Sequence, residues 1–514
     1  MILNISADMK FRCQFRPAAV ALALGMAFTA GAELPINYEG AVSVGTGSGD
    51  FAPFYISSLR HGRFTQADNV QAEVRLWVEP DYSRRFSFGF GIDVIGDYSS
   101  SVSYERYDGE TDSWFRHQER PSAFRIQQLY GEIKYRSLFL LAGMKEHDSA
   151  ILPQRLTSGD LVMSGNTRPI PEVRAGFWDF QNIPLTGGWL QISGEVGFGK
   201  MMDNGWWRDH YNYYTSHIAQ NELYAYKRCY FRTKPTEPLS VTFGMQAAAV
   251  FGGRSIYYSG GKFMFEKKYP TRFKEFMTML IPIEDGGEDF ISGNHVGSID
   301  IKASYKLKSG TELSAYMSWP FEDGSGIAKQ NGWDGLWGLH YKAKSEGIVS
   351  AAVVEYLDFT NQSGPIHFAP VDYPGTSAPD HVSGADDYYN NALHNSYAYY
   401  GQSIGTPVMM APIYNRDGFP GFIGNCLRGF HVGVEGELNR SVGYRLKGGY
   451  RKAWGTGKCM LKTPIHETAV MVETDWHPEK LVRGLGVKVQ VELNRGTMPG
   501  NAFGALVGVR YRMK

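Results

Sequence analysis

The sequence predicts an all-β protein, a transmembrane antiparallel β-barrel with a small helical insert. Apolar and polar residues alternate with period two along most of the chain. Several alternating segments are about 9 to 13 residues long, the length that membrane-spanning strands need, whereas ordinary strands average about 5 or 6. Glycine supplies 60 of the 514 residues and aromatic residues 14%. This composition is typical of many tight turns and of aromatic rings at membrane interfaces.

The N-terminus has the pattern of a secretory signal peptide. Basic residues precede an apolar core at Ala18–Ala30, and Ala30-Gly31-Ala32 offers a small-residue cleavage site. This core is too short to span a bilayer as a helix, which takes about 20 residues. We therefore predict a signal peptide at 1–32 and one barrel domain at 33–514, located in the outer membrane.

Alternation gives each predicted strand one apolar and one polar face. A soluble β-sandwich or propeller also alternates, but with shorter strands. An open sheet edge in lipid would leave unpaired backbone groups, each costing several kcal/mol, so a membrane sheet must close. The predicted lumen carries charges of both signs and must be hydrated or filled by protein; its charged residues are Glu73, Arg75, Asp300, Lys302, Arg445, Lys447, Lys488 and Glu492. The predicted strands include Val70–Val78, Phe86–Val94, Leu190–Phe198, Leu239–Phe251, Ile299–Leu307, Leu313–Trp319, Val442–Tyr450, Val487–Leu493 and Phe503–Met513.

One segment, 270–282, has a helical period instead. Phe273, Phe276, Met277 and Leu280 recur at helical spacing between two prolines. We predict an amphipathic helix that could plug the lumen, cap one mouth or lie on the membrane. Segments rich in turn residues predict loops at Asp97–Ser122, Gly252–Pro270 and Pro365–Pro420. In bacterial barrels the long loops face outward.

Three segments in order resemble one known family. They are the block Leu156–Trp189, the turn Glu322–Gly326, and Glu355-Tyr356-Leu357 leading to Asn361–Pro365. Together they resemble the capsule-assembly family called Wzi, in the form found in Bacteroidetes. The resemblance implies an outer-membrane barrel of about 18 strands that holds capsular or other surface polysaccharide. It also implies contact with outer-membrane lipid and with capsule export machinery. Enterobacterial members close the periplasmic mouth with a helical bundle, whereas Glu33–Asp50 here is Gly-rich and does not read as helical.

Two aromatic clusters are candidate ligand-binding sites. Aromatic rings stack on the apolar faces of sugars, while polar side chains bond the hydroxyl groups. The alternative is an aromatic girdle at the membrane interface. The candidate residues are Trp206, Trp207, Arg208, Tyr213 and Tyr214 in the first cluster, and Tyr389, Tyr399 and Tyr400 in the longest loop.

Composition and motifs argue against other function classes. The 52 basic and 52 acidic residues give a net charge of zero, which disfavours binding to nucleic acid. The sequence has no C-x-x-C, H-E-x-x-H, G-x-S-x-G or phosphate-loop motif, so we assign no catalytic residue, metal or cofactor. The prediction is a non-catalytic, monomeric polysaccharide-binding barrel. Its charged lumen supports a porin as the alternative.

Three cysteines follow the predicted signal peptide. They are Cys229, Cys426 and Cys459, and their odd number leaves at least one thiol without a partner in the same chain. The sequence alone leaves a disulfide between Cys426 and Cys459 as one possibility.

Overall fold

The computed structural model describes residues 35–280, 293–365, 367–368, 382–384 and 386–513. The predicted signal peptide at 1–32 lies outside the described residues. Of the helices in the described ranges, none is long and apolar enough to cross a membrane.

Within the described residues, eighteen antiparallel strands form one closed barrel, which confirms the predicted fold class. The last strand pairs with the first, so the sheet has no open edge. A two-residue strand, Gln181–Asn182, adds to the sheet between the sixth and seventh strands. The strands are β1 Asn37–Gly47, β2 Asn69–Val78, β3 Phe86–Ser99, β4 Phe124–Tyr135, β5 Leu138–Met144, β6 Glu172–Phe177, β7 Leu190–Lys200, β8 Leu223–Thr233, β9 Leu239–Phe251, β10 Asn294–Lys306, β11 Glu312–Phe321, β12 Gly335–Lys342, β13 Ala351–Asp358, β14 Cys426–Asn439, β15 Val442–Gly455, β16 Met460–Trp476, β17 Leu485–Gly496 and β18 Ala502–Met513.

The outward face of the wall is apolar. Val42 and Val44 of β1 lie opposite Val509 and Val507 of β18, and all four side chains are exposed. Exposure of such a continuous valine surface fits contact with lipid hydrocarbon. Exposed aromatic side chains occur toward both strand ends: Tyr38, Phe86, Tyr135, Tyr305, Trp476 and Tyr511 at one end, and Tyr98, Phe124, Phe430 and Phe503 at the other.

The two ends of the barrel differ in the length of their connections. One end has short turns, such as residues 136–137 and 440–441, and both described chain ends lie there. The other end has long connections, including 145–171 and 359–425. Bacterial outer-membrane barrels place short turns in the periplasm and long loops outside. We therefore call these the periplasmic end and the outer end.

Three connections from the outer end fold back into the lumen. We call residues 48–68, 145–171 and 386–425 the inner segments; the first contains a helix, α1, at Phe54–Ser57. One continuous apolar cluster joins all three inner segments to the wall, and its buried members include Phe54, Tyr55, Leu161, Val162, Tyr388, Tyr397 and Met409. Protein therefore fills the lumen, which is one of the two possibilities, water or protein, that its mixed charges predicted.

Charged side chains of the wall hold the inner segments. Glu492 of β17 accepts hydrogen bonds from the backbone N–H groups of Tyr55 and Ile56, both at 2.8 Å. Glu355 of β13 accepts from the Thr157 hydroxyl and the Ser158 N–H, both at 2.7 Å. A charge-assisted bond in a region of low dielectric is stronger than a neutral one. These carboxylates therefore fasten two inner segments to the wall at β13 and β17.

Arg63 of the first inner segment neutralises further wall carboxylates. Its guanidinium lies 2.7 Å from Glu73 and 3.1 Å from Asp93. It also pairs with Glu146 of the second inner segment. A buried charge without such partners would be costly. The inward-facing acids of β2 and β3 are therefore compatible with the lumen because Arg63 neutralises them.

Two regions predicted as loops contain paired strands. Val102–Asp108 and Ser113–Glu119 form a hairpin over the outer end. Arg254–Ser259 pairs with Lys262–Lys268 and with Thr215–Gln220, a segment outside the predicted loops, to form a three-stranded sheet. Polar strand faces and turn glycines hid these pairings, because period-two alternation marks only strands with one apolar face. Two shorter pairs are His367–Phe368 with Val382–Ser383, and Ala398–Tyr399 with Gln402–Ser403.

The remaining helical elements are short. They are α2 Asn204–His210, α3 Phe273–Leu280, α4 Gly324–Ile327 and a 3-10 turn at Pro412–Tyr414. The helix α3 falls inside the predicted range 270–282, whose last two residues lie outside the described ones. Its side chains pack with outward-facing wall residues, so the described helix is on the outside of the barrel and not in the lumen. Among the described residues, Cys229, Cys426 and Cys459 are free thiols.

Candidate functional site

A cavity of about 490 Å³ opens at the outer end of the barrel. The hairpin 102–119, the helix α2 and all three inner segments surround it. Aromatic, cationic and acidic side chains share its wall, and they include Trp206, Tyr400, Arg168, Arg120, His117, Glu119 and Asp209. We call this space the outer cavity. It combines flat apolar surfaces with polar groups that can bond hydroxyls or charges.

Tyr400 sits in a strained turn at the edge of the outer cavity. Tyr400 and Gly401 connect the paired segments Ala398–Tyr399 and Gln402–Ser403, and their φ angles are 49° and 73°. Two-residue hairpins of this kind need positive φ at both positions, which usually selects Asn-Gly or Asp-Gly. A tyrosine in this conformation is sterically unfavourable and is kept only where the surroundings enforce it.

Gly401 is required by the neighbouring tryptophan. A Cβ at this position would overlap the ring of Trp206. The glycine therefore serves both the positive φ and the close approach of the indole. This contact joins the last inner segment to the helix α2.

The helix α2 orients Trp206. Its ring stacks on His210 one turn later, with centroids 4.4 Å apart and planes 16° apart. His210 also contacts Tyr104 with edge-to-face geometry, with ring centroids 4.6 Å apart. Burial lowers the pKa of His210 to about 3, so its imidazole is neutral. A neutral aromatic stack thus supports one face of Trp206.

Asp203 holds the helix and the turn together from beneath. It precedes α2, and its Oδ2 accepts a hydrogen bond from the Trp207 indole at 2.9 Å. The same oxygen accepts from the backbone N–H of Tyr400 at 3.0 Å. The Tyr400 hydroxyl in turn donates to the Met202 carbonyl at 3.2 Å. One buried carboxylate therefore positions the backbone of Tyr400, which lines the cavity, and the indole of Trp207, the neighbour of Trp206 in α2.

Arg168 supplies a cation beside these rings. Its guanidinium carbon lies 4.2 Å from the centroid of the Tyr400 ring, a distance typical of cation–π contact. Within the described part of the chain no carboxylate forms an ion pair with Arg168. The residue belongs to the Leu156–Trp189 block of the resemblance, but the sequence did not identify it as a site residue. Its role depends on contact with a turn 232 positions later, which a local motif does not reveal.

The acids of the outer cavity differ in their surroundings. Asp209 pairs with Arg208 at 3.1 Å. Burial, with a smaller contribution from the charge of Asp209, raises the pKa of Glu119 to about 8. Glu119 is therefore mostly protonated at neutral pH and can donate a hydrogen bond. The cavity then presents a donor acid, a paired acid and an unpaired guanidinium.

The eight predicted binding residues occupy three kinds of position. Trp206 and Tyr400, one from each predicted cluster, meet at the outer cavity. Trp207, Tyr389 and Tyr399 are only 1%, 3% and 2% exposed and lie in the buried apolar cluster. For the two tyrosines the physical reason is the inward fold of residues 386–425, which takes part of a predicted surface loop into this cluster.

The other three predicted residues lie outside the cavity lining. Arg208 pairs with Asp209 at the surface. The ring of Tyr213 contacts that of Tyr258 at 4.9 Å, and Tyr214 contacts Tyr107 at 5.0 Å. These contacts join the segment that follows α2 to the three-stranded sheet and to the hairpin 102–119. In the described ranges no group of three or more His, Cys, Asp or Glu side chains could hold a metal ion.

No protein-family model matches this chain, and no curated protein matches it. Among solved structures, it is similar to Wzi of Escherichia coli, described as a carbohydrate-binding β-barrel of the outer membrane involved in group 1 capsule assembly. The identity is 13%, the match covers 96% of this chain and 87% of that chain, and the TM-score is 0.54.

Two further similar structures have lower scores. Pseudomonas aeruginosa OccK5 (OpdH) has 9% identity, coverage of 93% and 97%, and a TM-score of 0.44. Acinetobacter baumannii OccAB2 has 8% identity, coverage of 93% and 98%, and a TM-score of 0.46. The likeness to Wzi shows the fold, and together with the size of the barrel it supports an outer-membrane location.

Proposed function

We propose that this chain is a non-catalytic outer-membrane barrel that binds and retains surface polysaccharide, capsular or other, in the outer cavity. One observation carries the proposal. Trp206 and Tyr400 line a cavity at the outer end together with Arg168, while inner segments fill the lumen beneath it. A filled barrel with a polar and aromatic cavity at its outer end is suited to holding a ligand there.

The chemistry of the outer cavity fits a glycan. A sugar ring has faces of C–H groups that pack on aromatic rings, and hydroxyls that need polar partners. The volume of about 490 Å³ falls in the range of about 300–1,000 Å³ of known ligand sites. Because the cavity is open to the outside, a long polysaccharide can pass through it with only a few of its sugar units bound.

Arg168 favours acidic units in that glycan. Its guanidinium has no carboxylate partner among the described residues. Planar bidentate recognition of a carboxylate is the interaction to which arginine is best suited. The proposed ligand is therefore a polysaccharide that carries acidic sugars.

The fold likeness supports the role in retention. The similar E. coli protein is described as carbohydrate-binding and involved in capsule assembly. By this likeness we propose that the present chain acts on polysaccharide delivered by capsule export machinery, as a monomer among outer-membrane lipids. The signal peptide at 1–32 would direct its export.

A porin is the second candidate. A cavity of about 320 Å³ at the periplasmic end is lined by charges of both signs, including Arg155, Glu435, Arg445, Glu473 and Arg510. Such a polar vestibule is common to diffusion channels. The inner segments, packed between this vestibule and the outer cavity, argue against free diffusion. A steady conductance of the purified protein in a planar bilayer would favour the porin.

The proposal is tested by the split between cell-bound and shed polysaccharide. Cells that lack the gene should make a normal total amount and release more of it into the medium. The wild-type chain should restore the bound fraction, and a chain with Trp206→Ala and Tyr400→Ala should not.

A matched control is Trp189→Ala, which removes an exposed aromatic side chain at the periplasmic end. This variant should restore retention fully. An unchanged split in cells without the gene would refute the proposed function.

A further inference from the structure

The helix α3 packs on the outer surface of the barrel wall, away from the outer cavity. The side of β8 that it contacts follows from alternation along the strand. Tyr226 faces the lumen, because its hydroxyl bonds Gln246 at 3.0 Å and Gln246 bonds Asp160 of an inner segment at 2.8 Å. Residues 225 and 227 therefore face outward.

Several contacts hold α3 to this outward side. Met279 packs in one cluster with Ala225 and Ala249. The Lys227 ammonium donates to the carbonyl groups of Met279 and Leu280, at 2.7 and 2.9 Å. A cation at the C-terminus of a helix satisfies carbonyl groups that have no partner within the helix.

Aromatic contacts add to the attachment. The Phe276 ring lies 5.2 Å from that of Phe198 in β7 and 5.3 Å from that of Phe251 in β9, with edge-to-face geometry. Ala225 and Ala249, on β8 and β9, have small side chains that leave room for the helix. The helix therefore covers part of the wall where other strands expose large apolar side chains.

The register of the sheet places α3 beside the lipid-facing surface. Val173 of β6 lies opposite Phe198, Phe198 opposite Ala225, and Ala225 opposite Ala249. These four residues form one row across the outward face. Val173 is 55% exposed at one end of the row, and α3 covers the other end. The helix is thus continuous with the surface that meets the membrane.

The side of α3 that faces away from the wall exposes two large apolar side chains. Phe273 is 79% exposed and Met277, one turn later, 42% exposed. Lys274 is exposed between them, and Arg272 precedes the helix with an exposed side chain that pairs with Glu275 at 2.8 Å. Apolar and cationic residues together on a short helix are typical of segments that lie in a membrane interface.

We propose that α3 lies in the plane of the outer membrane surface, with Phe273 and Met277 in the acyl chains and Lys274 at the level of anionic headgroups. The occupant of this surface is lipid, because α3 extends the lipid-facing wall. The contact anchors the rim of the barrel at β7 to β9. It makes no use of the outer cavity, so it is independent of the proposed polysaccharide binding.

The test measures what surrounds position 277. A Met277→Cys variant in a chain with Cys229→Ser and Cys459→Ser carries a fluorescent label and is reconstituted in phosphatidylethanolamine–phosphatidylglycerol vesicles. Quenching by a nitroxide on the lipid acyl chain is compared with quenching by iodide in water. Gln118→Cys, at an exposed position in the outer cavity, is the reference that faces water.

Lipid nitroxide should quench the label at 277 several-fold more than the label at 118, and iodide should show the reverse order. Equal access of iodide to both positions would overturn the proposal. A label at 277 that neither quencher reaches would also overturn it, because protein would then cover this surface. Native migration of the reconstituted barrel verifies the fold of each variant.

Discussion

The carboxylate of Asp203 joins the turn at Tyr400 to the helix α2: one oxygen, Oδ2, accepts hydrogen bonds from the Tyr400 N–H at 3.0 Å and the Trp207 indole at 2.9 Å. The two bonded residues are nearly 200 positions apart in the chain. Tyr400 has a positive φ of 49°, a conformation that a tyrosine keeps only under constraint. The outer cavity therefore depends on a residue that is itself buried beneath it.

Removing this acceptor should impair both binding and stability. Asp203→Ala leaves two buried N–H groups without a partner, at about 1–3 kcal/mol for each group. We expect at least a tenfold loss of glycan affinity by calorimetry and a lower midpoint of thermal unfolding. Asp203→Asn keeps an acceptor oxygen and should show smaller losses. Equal behaviour of Asp203→Ala and the wild type would contradict the positioning role.

Asp203 should also make stability depend on pH. Burial raises its pKa from 3.8 to about 7, so the folded state binds this proton more tightly than the unfolded state. The contribution to stability is present at low pH and falls as the pH rises toward about 7. The unfolding midpoint of the wild type should drop more between pH 5 and pH 8 than that of Asp203→Asn. Parallel pH profiles would refute the assignment.

Replacing Arg168 should weaken binding selectively. Loss of a charge-assisted hydrogen bond costs about 1.5–3 kcal/mol, which is roughly a tenfold to hundredfold loss of affinity. Arg168→Gln should show this loss for an acidic glycan and little change for a neutral one. The control is Arg155→Gln, which changes an arginine that lines the periplasmic cavity. A similar loss for both glycans would show that Arg168 acts through packing.

Releasing the inner segments should open the barrel. Glu355→Ala with Glu492→Ala removes the carboxylates that bond Ser158, Tyr55 and Ile56 of two inner segments. We expect larger and noisier single-channel conductance in a planar bilayer than for the wild type. The Gln variants keep acceptor oxygens and should stay nearer to the wild type. A wild-type conductance as large as that of the double variant would favour the porin.

The thiols should react according to their exposure. Cys459 is exposed and Cys426 is buried, and both are free. Without reductant, a maleimide should label Cys459 in the folded protein and Cys426 only after unfolding. Mass spectrometry of the peptides distinguishes the two. A Cys426–Cys459 disulfide in those peptides would contradict the structure.

The barrel itself was predictable from local pattern. Each wall strand has lipid on one side and lumen on the other, so its side chains must alternate, and Val70–Val78 shows this without any partner strand. The helix at 273–280 was predictable for the same reason, since its apolar positions recur at helical spacing.

By itself, then, the sequence determined the wall: long amphipathic strands that only a closed sheet can satisfy in lipid. Tertiary structure decided the rest. Tyr389 and Tyr400 belong to the same long connection, yet Tyr389 is buried in the lumen and Tyr400 lines the outer cavity. The difference comes from contacts with Leu161, Trp206 and Asp203, which are far away in the chain. The local sequence does not distinguish the two tyrosines, because the burial of each depends on contacts with residues that are distant in the chain.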